Sequence, residues 1–104
     1  MKEQDLMLEN EAIMNEAVSL QQAFQAVSAE WEDTLEEARE ANERFDFETV
    51  EVKHKALQSI IDRRSFILAL MERNAQRMRR LMVTMYGPEG GRIFDEIMNR
   101  GKGS

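Results

Sequence analysis

Ala41-Asn42-Glu43-Arg44-Phe45-Asp46-Phe47-Glu48-Thr49-Val50 is where the sequence changes phase, and its reading decides the fold. Upstream, apolar or small residues recur at Ile13, Ala17, Leu20, Phe24, Val27, Trp31, Thr34, Ala38, Ala41 and Phe45, with gaps alternating between four and three. That is the heptad spacing of a coiled-coil seam, and Leu6 and Asn10 extend it backwards. Downstream, a second seam runs through Val50, His54, Leu57, Ile61, Arg64, Leu68, Met71, Ala75, Met78 and Met82, with Met85 extending it. The step from Phe45 to Val50 is five, so one continuous helix would turn the two seams away from each other. An N-cap at Asp46 resolves the conflict, because its carboxylate can accept bonds from the free N–H groups of a new first turn. Phe45 and Val50 then occupy the N′ and N4 positions of a hydrophobic staple. A single bent helix is the alternative, since neither Gly nor Pro marks the turn.

All five Gly and the one Pro follow residue 86, which leaves Met1 to Tyr86 free of helix breakers. The predicted fold is all-α: a long antiparallel coiled-coil-like helical hairpin with a short C-terminal amphipathic segment. A chain of 104 residues has room for one domain. Helix 1 is expected at about 3–45, helix 2 at about 47–86, a Gly-rich hinge at 87–91 and a short helix at about 92–99. Residues 100–104 read as a tail. Pairing positions whose numbers sum to 95 sets Ala17 opposite Met78, Phe24 opposite Met71 and Trp31 opposite Arg64, where a guanidinium would stack on the indole.

The net charge of −6 hides a split. Residues 1–52 carry fifteen Asp/Glu against three Lys/Arg, whereas residues 53–104 carry eleven Lys/Arg against five Asp/Glu. An acidic helix lying antiparallel to a basic one accounts for this, and it disfavours like-charged pairings. The alternative, a nucleic-acid surface built on Arg63, Arg64, Arg73, Arg77, Arg79 and Arg80, is disfavoured by the adjacent acidic helix. No aromatic residues are interleaved there for base stacking.

No catalytic constellation stands out. The chain has no cysteine, and its single histidine, His54, has no partner at a metal-ligand spacing. No catalytic residue, cofactor or metal site is therefore assigned. No apolar run reaches the roughly 20 residues a membrane span needs. The start, Met1-Lys2-Glu3-Gln4-Asp5, lacks the apolar core of a signal peptide, so a cytoplasmic protein is expected. The stretch Leu57–Arg73 resembles the first helix of an all-α chorismate mutase. That family takes further Arg and Lys from later helices, and here the Gly-Pro break comes first.

Flexible methionines at seam spacing suit a surface that accepts apolar partners. Met78, Met82, Met85 and Tyr86, together with Ile93, Phe94, Ile97 and Met98 of the amphipathic segment, are the candidate partner-binding residues.

From Met71 the chain reads Met-Glu-Arg-Asn-Ala-Gln-Arg-Met-Arg-Arg-Leu-Met-Val-Thr-Met-Tyr-Gly-Pro-Glu-Gly. This resembles the C-terminal part of the flagellar export chaperones that serve the hook–filament junction proteins, with Asn74, Tyr86, Gly87 and Gly90 at the matching positions. Phe45 to Leu57 is similar to that family's mid-chain stretch. The resemblance implies a cytoplasmic chaperone that keeps an export substrate unpolymerised and delivers it to a type III export machine. Helix-in-groove contacts would be the mechanism, with the Gly87–Gly91 hinge letting the last segment reposition. The expectation from another class is a homodimeric four-helix-bundle scaffold or adaptor, with Met14, Val18, Ile60 and Ile67 as its second apolar face.

Overall fold

The computed structural model describes residues 2–102. The chain is all-α: α1 (Glu3–Glu43), α2 (Phe47–Tyr86) and α3 (Pro88–Lys102), with no strand among the described residues. Acidic Glu3 and Asp5 sit in the first turn of α1, where they complement the helix dipole.

The turn at 44–46 is built from two caps placed back to back. Phe45 adopts φ 60°. Its N–H donates to the carbonyl of Asn42 (3.1 Å), and the N–H of Asp46 donates to the carbonyl of Ala41 (2.9 Å). Those two bonds form the Schellman closure of a helix, which stops α1 at Glu43, two residues earlier than its seam suggests. Asp46 then caps α2, as expected from the sequence. Its Oδ1 accepts from the Thr49 N–H at 3.2 Å and its Oδ2 from the Thr49 hydroxyl at 2.7 Å. In place of a Phe45–Val50 staple, Phe45 stays 77 % exposed, and its ring meets Phe47 edge-on with centroids 6.2 Å apart. The left-handed backbone of the Schellman turn commits Phe45 to ending α1.

The chain divides into two compact units, residues 19–70 and residues 1–18 with 71–104. Within 19–70, α1 and α2 form an antiparallel hairpin with Leu20, Val27, Ala38, Ala41, Leu57, Ile60 and Ile67 buried. Lys53 pairs with Glu37 and Arg63 with Glu30 (2.7 Å), so basic α2 meets acidic α1. The Arg64 guanidinium lies 5.5 Å from the centre of the Phe24 ring. This corrects the pairing register: Arg64 meets Phe24 instead of Trp31, one heptad earlier on α1. A three-residue turn brings the helices together sooner than the expected pairing allows, and a heptad repeat cannot distinguish shifts of seven. The α2 seam is corrected with it. Ile60 (1 % exposed) and Ile67 are core and not a second face, while Ile61 (40 % exposed) and Leu68 lie outside.

In the other unit, Ile13 and Leu81 are buried around Asn74, whose Nδ2 donates to the Ile13 carbonyl at 3.1 Å. Its Oδ1 is buried and accepts no hydrogen bond. The expected hinge at 87–91 shrinks to Gly87 alone, at φ 72°. Pro88 opens α3 at the first helical position, where its missing N–H is harmless. Gly90 and Gly91 are buried inside α3 because that helix turns directly back on α2. A Cβ at Gly90 would collide with the Met82 carbonyl oxygen, and one at Gly91 would sit 3.0 Å from Arg79 Nη2. These glycines permit close packing where flexibility was expected. Of the expected tail, Arg100 to Lys102 complete α3, and Gly103 and Ser104 lie outside the described residues.

Candidate partner-binding face

The unit formed by 1–18 and 71–104 has two unlike flanks on either side of its buried row. One flank is charged. Arg77 Nη1 donates to Glu16 Oε2 at 2.6 Å and Nη2 to Glu9 Oε1 at 3.2 Å. Arg73, Arg80 and Thr84 line the same shallow depression with Glu9 and Leu81.

The other flank is apolar. Met71, Ala75, Met78 and Met82 follow at steps of four, three and four, so they share one face of α2, and all four are half-buried. On α1, Glu3, Met7, Glu11, Met14 and Val18 fall on one stripe by the same spacing, and all are exposed. Arg77 fixes which flanks meet. Its contacts put the Glu9–Glu16 side of α1 beside the Arg77 side of α2, so by helical spacing the methionine-bearing sides of both helices fall away from that flank.

α3 is held by a bidentate pair. Arg79 Nε and Nη2 donate to Asp95 Oδ1 and Oδ2, both at 3.0 Å. The Arg79 guanidinium keeps the Asp95 carboxyl below its ordinary range. On α3 itself, Arg92 pairs with Glu89 and, at 2.6 Å, with Glu96. With Asp95 turned to the Arg79 side, Ile93 and Ile97 fall on the opposite edge of α3, towards the Met82 side of α2.

The structure separates the eight candidate residues by where they lie. Met78 and Met82 form the floor of the methionine face, and Ile93 and Ile97 border it on α3. Met85 and Tyr86 are exposed in the last turn of α2. Phe94 and Met98 line an open depression between α3 and α2 with Glu72, Ala75, Gln76, Asp95 and Asn99. In the sequence Met71 stands out only as a position of the α2 seam and Met14 only as part of a second apolar face, and nothing there singles out Met7. The signal that finds them is their shared spacing once the charged flank is located.

Among the described residues no group of three His, Cys, Asp or Glu is arranged to hold a metal ion. No helix among them is long and apolar enough to cross a membrane. Compared with known proteins, the chain matches no family model, no curated protein and no solved structure.

Proposed function

We propose that the chain is a non-catalytic protein-binding module that takes an amphipathic helix of another protein onto its methionine face. One observation carries the reading: the unit of 1–18 and 71–104 gathers the Arg77–Glu9–Glu16 ion pairs on one flank, and the Met71–Met82 row of α2 lies on the other. Met71 to Met82 spans about 17 Å of α2, the reach of three turns of a partner helix. Thioether side chains adapt to varied apolar shapes, which suits helix capture. Glu3 and Glu11, interleaved with Met7 and Met14, make no ion pair among the described residues. The preferred occupant therefore carries Lys or Arg along one edge.

The most specific form of the proposal is a cytoplasmic export chaperone of the flagellar type III kind. Its support is the resemblance at Asn74, Tyr86, Gly87 and Gly90. Three of these have clear structural work in this chain: a buried hydrogen bond, a left-handed turn and a close helix approach.

The test uses two amphipathic peptides of roughly 20 residues, one with a basic edge and one with an acidic edge. Fluorescence anisotropy should show the basic-edged peptide binding more tightly, and Met78→Glu or Met82→Glu weakening it at least about tenfold. Equal affinity for both peptides removes the charge assignment, and no binding of either removes the reading. A homodimer is the competing proposal, favoured by exposed Ile61, Phe66 and Leu68 within 19–70. A concentration-independent dimer mass in light scattering would support it.

A further inference from the structure

All eight methionines of the chain fall within 1–18 and 71–104, and none within 19–70. The unit without methionine also exposes large apolar side chains, but they are leucine, isoleucine, valine and phenylalanine, among them Phe45, Phe47, Val52 and Phe66. Thioethers are thus not the chain's general way of covering surface. They are reserved for the unit that carries the methionine face. Met7 is 66 % exposed, Met14 51 %, Met85 43 % and Met98 38 %, so their sulfurs are open to small oxidants, although Met98 lies off the face, in the depression with Glu72 and Phe94. The chain has no cysteine, which leaves its eight methionine thioethers as its only oxidisable sulfur.

We propose that the methionine face is a redox-controlled surface: oxidation of Met7, Met14 and Met85 by a hydroperoxide weakens helix docking while the chain stays folded. The inference rests on the helix-binding reading above. In each event the thioether sulfur attacks the peroxide, an S–O bond forms as the O–O bond breaks, and the peroxide leaves as water or an alcohol. The sulfur is oxidised by two electrons, and the peroxide is reduced. The sulfoxide oxygen is a strong acceptor that an apolar helix cannot satisfy, so docking must strip its water without replacement. Two thiols of a sulfoxide reductase reverse the step, yielding the thioether, a disulfide and water. The fold is spared because the core among the described residues is built of Ile, Leu, Val and Ala with Asn74 and holds no fully buried methionine, so the oxidant alters none of it.

The experiment treats the full chain with hydrogen peroxide, locates the added oxygens by mass spectrometry and titrates the basic-edged peptide before and after. The expected result is oxygen first on Met7, Met14 and Met85, affinity lowered at least about tenfold, unchanged helical circular dichroism, and recovery with sulfoxide reductase and a dithiol. In the triple variant Met7→Leu, Met14→Leu, Met85→Leu, the ratio of affinities before and after peroxide should stay near one, whatever the starting affinity. Oxidised chain that binds as tightly as reduced chain overturns the switch and leaves the helix-binding reading standing. Loss of helicity in step with loss of binding also overturns it, since the effect is then unfolding. Failure of the reduced chain to bind removes the reading itself, and the switch with it.

Discussion

Phe45 is the one non-glycine residue among those described with a positive φ, and most of its side chain is in solvent. An L-residue in the left-handed region is strained by roughly 1–2 kcal/mol, because its Cβ crowds the neighbouring carbonyl. Glycine there escapes the strain. Phe45→Gly should therefore raise stability by about 1 kcal/mol, less whatever the edge-on contact with Phe47 contributes. The check is a thermal melt followed by circular dichroism, and a lower midpoint would show that the Phe45–Phe47 contact outweighs the strain. Next to it, Asp46 gives the turn a pH dependence. Hydrogen bonds from the Thr49 hydroxyl and N–H hold its carboxyl below the ordinary 3.8. A depressed folded-state value means the cap stabilises the fold fully above the ordinary value, and the effect fades as pH falls through the folded one. Asp46→Ala should melt a few degrees lower than the parent above about pH 5, with the gap closing below about pH 4. Asp46→Asn, which accepts the same bonds without titrating, should keep a constant offset from Asp46→Ala across that range.

At the scale of the element, α2 explains why the fold was legible and its register was not. Leu57, Arg64, Met71 and Met78 form a row shared by two possible seams, completed by Ile60, Ile67, Asn74 and Leu81 or by Ile61, Leu68, Ala75 and Met82. The second set is apolar throughout and the first is interrupted by Asn74, so hydrophobicity alone favours the wrong one. The structure buries the first set. Asn74 is tolerated there because the Ile13 carbonyl accepts from its amide, an interaction available in one register only. The phase break and the Asp46 cap were readable because each depends on neighbours within a few residues. The Schellman closure was hidden because its left-handed residue is Phe, not Gly. The choice of seam is directly testable. Ile60→Ala should cost about 2–5 kcal/mol through loss of a fully buried side chain. Ile61→Ala should change stability by less than about 1 kcal/mol. Denaturant midpoints that reverse this order would restore the seam through Ile61.

For the whole molecule, the charge split and the methionine distribution answer different questions. Opposite charges on α1 and α2 meet at Glu37–Lys53, Glu30–Arg63 and Glu9–Arg77–Glu16. Much of the sequence's electrostatic signal thus goes into the chain's own pairing. Such exposed pairs add little stability individually, but they select acidic-on-basic packing over the alternatives. The candidate site was half legible because sequence marks which residues are apolar, while only the Arg77 contacts show which flank is left over. α3 is the element whose role is most open to direct measurement. Of its side chains, none belongs to the buried hydrophobic core; it adds the two buried glycines, the Phe94 packing and the Arg79–Asp95 pair. Ending the chain after Tyr86 should therefore remove helical signal close to that of α3's 15 residues and leave the unfolding transition cooperative. The midpoint should fall by only a few degrees, as expected for a loss near 1 kcal/mol in a domain of this size. Collapse of the remaining helical signal would mean that α3 supports α2 far more than its exposed surface suggests. The Gly90–Met82 approach would then be the contact to restore first.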